Sequence, residues 1–91
     1  MQKNRTTVRI AGKEYTIASY DSEEYVNRVA AHVDRSMREL SLTAKLPTAQ
    51  LAVLAAVNAT DDLLKSRDEI TRLRRQVEAL EARLEAADAH D

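Results

Sequence analysis

The sequence predicts a mainly α-helical fold with a small β-hairpin, in which a ββα head is followed by one long coiled-coil helix. Three observations indicate this. Two short segments near the start alternate apolar and polar residues around the only glycine, and the stretch from Pro47 to Ala87 has no helix breaker after its proline. In the second half of that stretch, apolar residues recur every three or four positions. We expect a head over residues 1–46, a long helix over 47–91, and a dimeric or tetrameric assembly.

The hairpin is predicted from residues 6–11 and 14–18, which alternate as half-buried strands do. Gly12 and Lys13 lie between them, and a glycine supplies the positive φ that a tight hairpin turn requires. The residues predicted to face inward are Thr6, Val8, Ile10, Tyr15 and Ile17. Because an isolated two-stranded hairpin is marginally stable in water, this apolar face must be covered.

A first helix is predicted to open at Asp21 and Ser22. Asp21 is the expected N-cap, and Glu24, three residues later, completes a capping box. The residues predicted to face inward are Val26, Val29, Ala30, Val33, Met37 and Leu40. The pattern lapses over residues 41–46, and Pro47 has the fixed φ that suits the first turn of a second helix.

The second helix is predicted to be about 60 Å long, at 1.5 Å per residue. Its first part, Leu51–Val57, is apolar on every side and should be buried all round. Asn58 follows this run, so we expect it to be partly buried in an interface, where it can fix register. A heptad stripe then predicts self-association through Leu63, Ile70, Leu73, Val77, Leu80, Leu84 and Ala87.

The charges beside this stripe are compatible with both helix orientations. In a parallel dimer, three of the four flanking pairs have opposite charge: Asp62 with Arg67, Glu69 with Arg74, and Arg83 with Asp88. An antiparallel pairing is also complementary. Each exposed pair contributes only about 0.3–0.5 kcal/mol, so the charges do not select one orientation. The sequence supports a dimer more strongly than a tetramer.

Composition limits the possible functions and partners. The net charge of the 91 residues is −1, but residues 1–20 contain four bases against one acid (+3), and residues 46–91 contain nine acids against six bases (−3). A basic head favours an acidic partner.

The chain has no cysteine, no apolar run near the ~20 residues that span a bilayer, and no apolar signal core. We therefore expect a cytoplasmic protein with no membrane contact.

No set of residues typical of catalysis, a cofactor or a metal site is present, so an enzyme is not expected. His32 and His90 are interpreted as surface residues. Three tyrosines, with no phenylalanine or tryptophan, provide no platform for stacking single-stranded bases. A head followed by a self-associating helix favours an oligomeric connector instead. Two other functions stay open: a small dimeric nucleic-acid binder using the basic hairpin, and a general coiled-coil oligomerisation module.

Three segments of the chain together resemble the ZapA family of bacterial cell-division proteins, which bind FtsZ. They are the hairpin from Val8 to Ile17, the helical element Val29-Ala-Ala-His-Val-Asp34, and the run Leu51-Ala-Val-Leu-Ala-Ala-Val-Asn58 with Asp61. The resemblance implies a cytoplasmic protein at the midcell division ring that bundles FtsZ protofilaments. It also implies dimers that often form antiparallel dimers of dimers.

The resemblance further implies that charged residues of the head contact FtsZ. Lys13 corresponds to the basic residue that follows the hairpin glycine in the family. Lys45 is the nearest match to a second base in the loop before the long helix, and Arg9 of the hairpin is included in the predicted set. Where the family can have an acidic residue early in the long helix, this chain has Ala49.

Overall fold

The computed structural model describes residues 2–89, and these form a two-stranded antiparallel sheet followed by two helices. The elements are β1 (Asn4–Ile10), β2 (Lys13–Ser19), α1 (Glu23–Thr43) and α2 (Thr48–Asp88). This confirms the predicted fold class of a small hairpin followed by a short and a long helix. The chain divides into two compact units, an N-terminal unit of Met1–Val57 and a C-terminal unit of Asn58–Asp91.

The hairpin is covered on only one of its two strands. Thr6 lies opposite Ile17 and Val8 opposite Tyr15, so all four side chains share one face of the sheet. α1 packs on β1, where Thr6 and Val8 are buried. Tyr15 and Ile17 remain 48% and 36% exposed in the single chain. Within the single chain this face is therefore covered on β1 and left open on β2, because α1 does not extend across the second strand.

The N-cap of helix α1 is one residue later than predicted. Ser22 is the N-cap, and its Oγ accepts a hydrogen bond from the Tyr25 N–H at 3.1 Å. Asp21 is not the cap, because it is held in the preceding turn. Its N–H donates to Ser19 Oγ at 3.0 Å, and its carbonyl accepts from the Asn4 side chain at 3.0 Å. With Ser22 as cap, the third helical residue is Tyr25, and the predicted capping box does not form.

The core consists of two small clusters within the N-terminal unit. The first contains Val8, Val26 and Ala30; the second contains Met37, Leu51 and Ala55, with Val33 and Leu40 partly buried beside it. Ile10 packs against both clusters. Val29 was predicted to face inward but is 45% exposed. It lies about 60° around the helix from Val26, at the edge of the buried face.

The start of α2 packs against α1 on one side only. Pro47 lies immediately before the helix, and its carbonyl accepts the N–H groups of Gln50 and Leu51 at 3.0 and 3.1 Å. The prediction that residues 51–57 are buried all round is wrong for the single chain. Leu51 and Ala55 are buried against α1, but the remaining residues of the run are exposed. A single neighbouring helix can cover one face of α2 and leaves its other faces open.

The described residues of the C-terminal unit lie almost entirely in the remainder of α2. Its ion pairs join neighbours along the helix: Lys65 Nζ lies 2.9 Å from Asp61 Oδ2, and Arg72 pairs with Glu69.

Taken singly, neither α1 nor α2 combines the length and apolar composition of a membrane span; the two satisfy that test only together, as a bent pair.

Candidate partner-binding surface

The hairpin turn determines where the predicted contact residue Lys13 lies. Ile10 pairs with Lys13, so the turn consists of Ala11 and Gly12 and not, as predicted, of Gly12 and Lys13. The φ values of Ala11 and Gly12 are 52° and 79°. Two consecutive positive φ values are typical of the turn that matches the twist of a two-residue hairpin. A Cβ added at Gly12 would meet no atom within 4 Å, so backbone conformation, rather than space, favours glycine there.

Lys13 lies on the same face of the sheet as the apolar residues of the hairpin. It is directly opposite Ile10 and is the first residue of β2. It lines a groove between β2, α1 and the first turns of α2, together with Ile10, Tyr15, Ile17, Val33, Met37, Ala49 and Ala52. Within residues 2–89, no carboxylate lies within 4 Å of the Lys13 ammonium group. The charge of Lys13 thus lies at the edge of an apolar surface.

Arg9 lies on the opposite face of the hairpin from Lys13. Its guanidinium Nη1 is 3.8 Å from Glu14 Oε1, and Nη2 donates to the carbonyl of Gly12 at 3.3 Å. The side chain therefore folds back on its own hairpin, beside the one acid of the first 20 residues. The structure does not bring Arg9 and Lys13 to one face.

Lys45 lies on a different element, the loop between α1 and α2. The loop follows the last turn of α1, whose end is marked by the Ala44 N–H donating to the Leu40 carbonyl at 3.0 Å. Lys45 is exposed. The three bases predicted to contact FtsZ thus come from β1, β2 and this loop, and their role in binding stays a prediction.

Asp34 connects the hairpin turn to α1, and it is not one of the site residues predicted from the sequence. Its Oδ1 accepts a hydrogen bond from the Ala11 N–H at 2.9 Å, and its Oδ2 pairs with Arg38. In sequence Asp34 looks like one of several charges on the solvent side of an amphipathic helix. No local pattern identifies it, because its partner is 23 residues away.

The predicted self-association residues form a half-exposed apolar stripe along the C-terminal unit. The exposed fractions of Leu63, Ile70, Leu73, Val77, Leu80 and Leu84 lie between 45% and 66%. Asn58 is exposed in the single chain, and its partial burial in an interface between copies stays a prediction. Its burial was inferred from the preceding apolar run, and α1 leaves most of that run uncovered. The stripe has the spacing of a helix–helix seam, and its role in association stays a prediction.

Glu69, one of the acids beside this stripe, is already paired within its own helix. Arg72 Nε donates to Glu69 Oε2 at 2.9 Å. This hydrogen bond lowers the pKa of the Glu69 carboxyl from its ordinary value. In the single chain Glu69 therefore pairs with Arg72, whereas the predicted interchain partner is Arg74.

The residues that the structure describes offer contact surfaces more than reactive groups. Residues 2–89 contain no group of three or more His, Cys, Asp or Glu side chains arranged to hold a metal ion. His32 is exposed on α1, as interpreted from the sequence, whereas His90 lies outside the described residues. The two surfaces with distinctive chemistry are the basic edge of the apolar groove and the stripe on α2.

These features define a class of protein: a β-hairpin and short helix followed by one long helix with an exposed apolar seam. The chain belongs to the ZapA family, since the family model described as "Cell division protein ZapA" matches residues 6–90. The resemblance noted in the sequence is thereby confirmed. This is a family of cell-division proteins and not a known enzyme family.

Similar proteins agree with this assignment. The chain is 51% identical over 76 residues to the cell division protein ZapA of Halalkalibacterium halodurans, covering 82% of this chain and 84% of that protein. It is 42% identical over 77 residues to the Bacillus licheniformis protein of the same name, with coverages of 84% and 91%. Among solved structures, a ZapA mutant dimer from Geobacillus stearothermophilus superposes with a TM-score of 0.70 at 40% identity, covering 86% of this chain and 92% of that one.

Proposed function

We propose that this protein binds FtsZ at the division ring and cross-links FtsZ protofilaments into bundles. The apolar stripe of α2 would join two or more copies, and the basic residues of the ββα head would contact the filament. The protein would act in the cytoplasm at midcell, without catalysis. Family membership supports the cell-division role, and the +3 charge of the first 20 residues favours an acidic filament surface.

The observation that carries the cross-linking proposal is the stripe of half-exposed residues from Leu63 to Leu84. Large apolar side chains at heptad spacing gain stability by packing into the same seam of another helix. The dimer described for the Geobacillus protein supports association through this family fold. Two dimers pairing antiparallel through their helices would present heads at both ends, and the flanking charges of this chain are compatible with that orientation.

Lys13 is the proposed filament contact in the head, with Lys45 and Arg9 as further contacts. Its support is its position: it lies on the edge of an apolar groove and has no carboxylate partner in residues 2–89. A cation without a partner beside apolar surface suits an acidic protein patch with apolar neighbours. The positive charge of Arg9 is partly neutralised by the nearby Glu14 carboxylate.

Sedimentation with polymerised FtsZ tests the proposal. Wild-type protein should pellet with the polymers and bundle them. Lys13→Glu should abolish co-sedimentation while leaving the oligomer mass from light scattering unchanged. Arg35→Glu, which makes the same charge change at an exposed position of α1, is the matched control and should retain binding. Equal losses in both variants would indicate a net-charge effect and contradict the role of Lys13.

The same experiments separate the alternatives. Affinity for duplex DNA that falls steeply with salt, without pelleting with FtsZ, would indicate a nucleic-acid binder instead. A concentration series should show the mass rising from two to four chains if dimers of dimers form. A lone chain at micromolar concentration would contradict cross-linking.

A further inference from the structure

We propose that Asp34 is a positioning residue for filament binding: its carboxylate fixes the hairpin turn against α1 and so determines where Lys13 meets the partner. This inference rests on the proposed function, because it assigns Asp34 a role through Lys13. It concerns a residue on α1, whereas the basic residues of the predicted contact set lie on the hairpin and in the loop after α1.

The first step is the hydrogen bond at the turn. Because Ile10 pairs with Lys13, the N–H of Ala11 lies in the two-residue loop, outside the strand ladder. Asp34 Oδ1 accepts that N–H at 2.9 Å. A hydrogen bond to an ionised carboxylate is stronger than one between neutral groups. The Ala11 N–H, which the strand ladder leaves unpaired, thus links the hairpin turn to α1.

The second step is the orientation of the carboxylate itself. Asp34 Oδ2 pairs with Arg38 one turn further along α1, so both oxygens have partners. The Asp34 side chain is only 23% exposed, whereas that of Arg38 is 71% exposed. Arg38 therefore pairs with the carboxylate from the solvent side, while the other carboxylate oxygen accepts the Ala11 N–H on the side of the hairpin.

The third step is the conformation that this contact supports. Ala11 has a φ of 52°, and it is the one non-glycine residue with positive φ in the described part of the chain. A residue with a Cβ is strained in this region, and such strain persists when surrounding contacts hold it in place. The Asp34 carboxylate is such a contact, so losing it should let the turn sample other conformations.

The final step links the turn to Lys13. Only Gly12 separates Ala11 from Lys13, and a Cβ added at Gly12 would have no atom within 4 Å, so no packing holds the turn at this residue. The other side-chain bond to the turn, from Arg9 to the Gly12 carbonyl, lies within the hairpin and does not hold it to α1. In residues 2–89 no second hydrogen bond ties the turn to α1. If Ala11 loses its hydrogen bond to Asp34, Lys13 should therefore occupy a wider range of positions.

The test compares binding of purified variants to polymerised FtsZ. Asp34→Ala should weaken the apparent affinity roughly tenfold, about the effect of one charge-assisted hydrogen bond. Asp34→Asn keeps an oxygen that can accept from Ala11 and should largely restore binding. Arg38→Ala leaves the bond to Ala11 in place and should change affinity by less than about twofold. Oligomer mass and the thermal transition establish that each variant is folded.

A double-variant cycle distinguishes positioning from a general structural role. If Asp34 acts through Lys13, Asp34→Ala should cost little further affinity once Lys13→Ala is present, because neighbouring effects that share one cause are not additive. Hydrogen exchange at the Ala11 amide should be faster in Asp34→Ala than in wild type or Arg38→Ala. Additive losses, or unchanged exchange at Ala11, would overturn the proposal.

The outcomes also separate this inference from the proposed function. If wild-type protein pellets with FtsZ and Asp34→Ala pellets equally well, the positioning role is overturned and the cross-linking function stands. If wild-type protein does not pellet, both are overturned. A tenfold loss that Asp34→Asn restores and that vanishes in the Lys13→Ala background supports both.

Discussion

The two compact units differ in where their apolar side chains lie. In the N-terminal unit, strand and helix residues bury one another, and the six buried hydrophobic residues of the described chain all lie there. In the C-terminal unit, residues of the same types lie on one helix at 45–66% exposure along the stripe. The N-terminal unit thus has an internal core, whereas the described residues of the C-terminal unit form an apolar surface without one.

This difference has a physical consequence for α2, which contributes to both units. Its first turns are stabilised by packing of Leu51 and Ala55 against α1. Beyond Val57, helix propensity and surface ion pairs such as Lys65–Asp61 remain, and exposed pairs contribute little. Most helical stability in proteins comes from packing of an apolar face. We therefore expect the C-terminal unit to depend on a second copy far more than the N-terminal unit does.

Placing a charge in the stripe should have the largest effect. Leu80→Asp in each copy would put a carboxylate into the proposed seam, at a cost of about 3–5 kcal/mol per assembly. We expect the mass from light scattering to fall to that of one chain at micromolar concentration, with loss of filament bundling. The β-hairpin signals in an NMR spectrum should persist, because the N-terminal unit has its own core.

Ala82→Asp is the matched control for this experiment. It adds the same charge two residues away, outside the heptad stripe, and should leave the mass unchanged. An unchanged mass in Leu80→Asp would contradict the seam. Loss of the hairpin signals in Leu80→Asp would contradict the independence of the N-terminal unit.

A cavity in the N-terminal unit should have the next largest effect. Met37 is 5% exposed and packs with Leu51 and Ala55, so Met37→Ala should lower the free energy of unfolding by about 2–5 kcal/mol. Urea unfolding measured in the Leu80→Asp background would exclude any contribution of association. Leu42→Ala, at an 81% exposed position of the same helix, should change stability by no more than about 0.5 kcal/mol. Equal effects of the two variants would contradict the assigned core.

Periodicity predicted the elements of the fold because each has a local pattern. Alternation identified both strands, and the glycine at position 12 identified their turn. Heptad spacing identified the apolar stripe of the C-terminal unit. The errors arise where burial depends on which neighbour covers a face. Tyr15 and Val29 have the apolar character of core residues, but α1 and β1 bury each other and leave these two at the edges.

The candidate site was less accessible to sequence reasoning. Lys13 was predicted through a family resemblance, and its position beside the groove depends on packing among β2, α1 and α2. Arg9 and Lys13 are close in sequence, but successive side chains of a strand alternate between the two faces of the sheet. Lys13 lies opposite Ile10, and Arg9 lies opposite Glu14 on the other face. Asp34 was not predicted as a site residue because its contact joins two elements. The periodicity of a helix does not show which of its residues contacts a hairpin turn.

Thr6→Val should have the smallest effect, and it should be stabilising. Thr6 is 4% exposed, and its Oγ1 has no hydrogen-bond partner among the described residues. Leaving a buried hydroxyl unsatisfied costs about 1–3 kcal/mol, and valine has nearly the same shape without that group. Valine also suits a strand. We therefore expect the free energy of unfolding to rise by about 1 kcal/mol, measured by urea unfolding in the Leu80→Asp background.

Thr7→Val is the control, because Thr7 is exposed and its Oγ1 already lies 3.4 Å from Thr16 Oγ1. A loss of stability in Thr6→Val would mean that the Thr6 hydroxyl has a hydrogen-bond partner in solution, which would contradict this prediction.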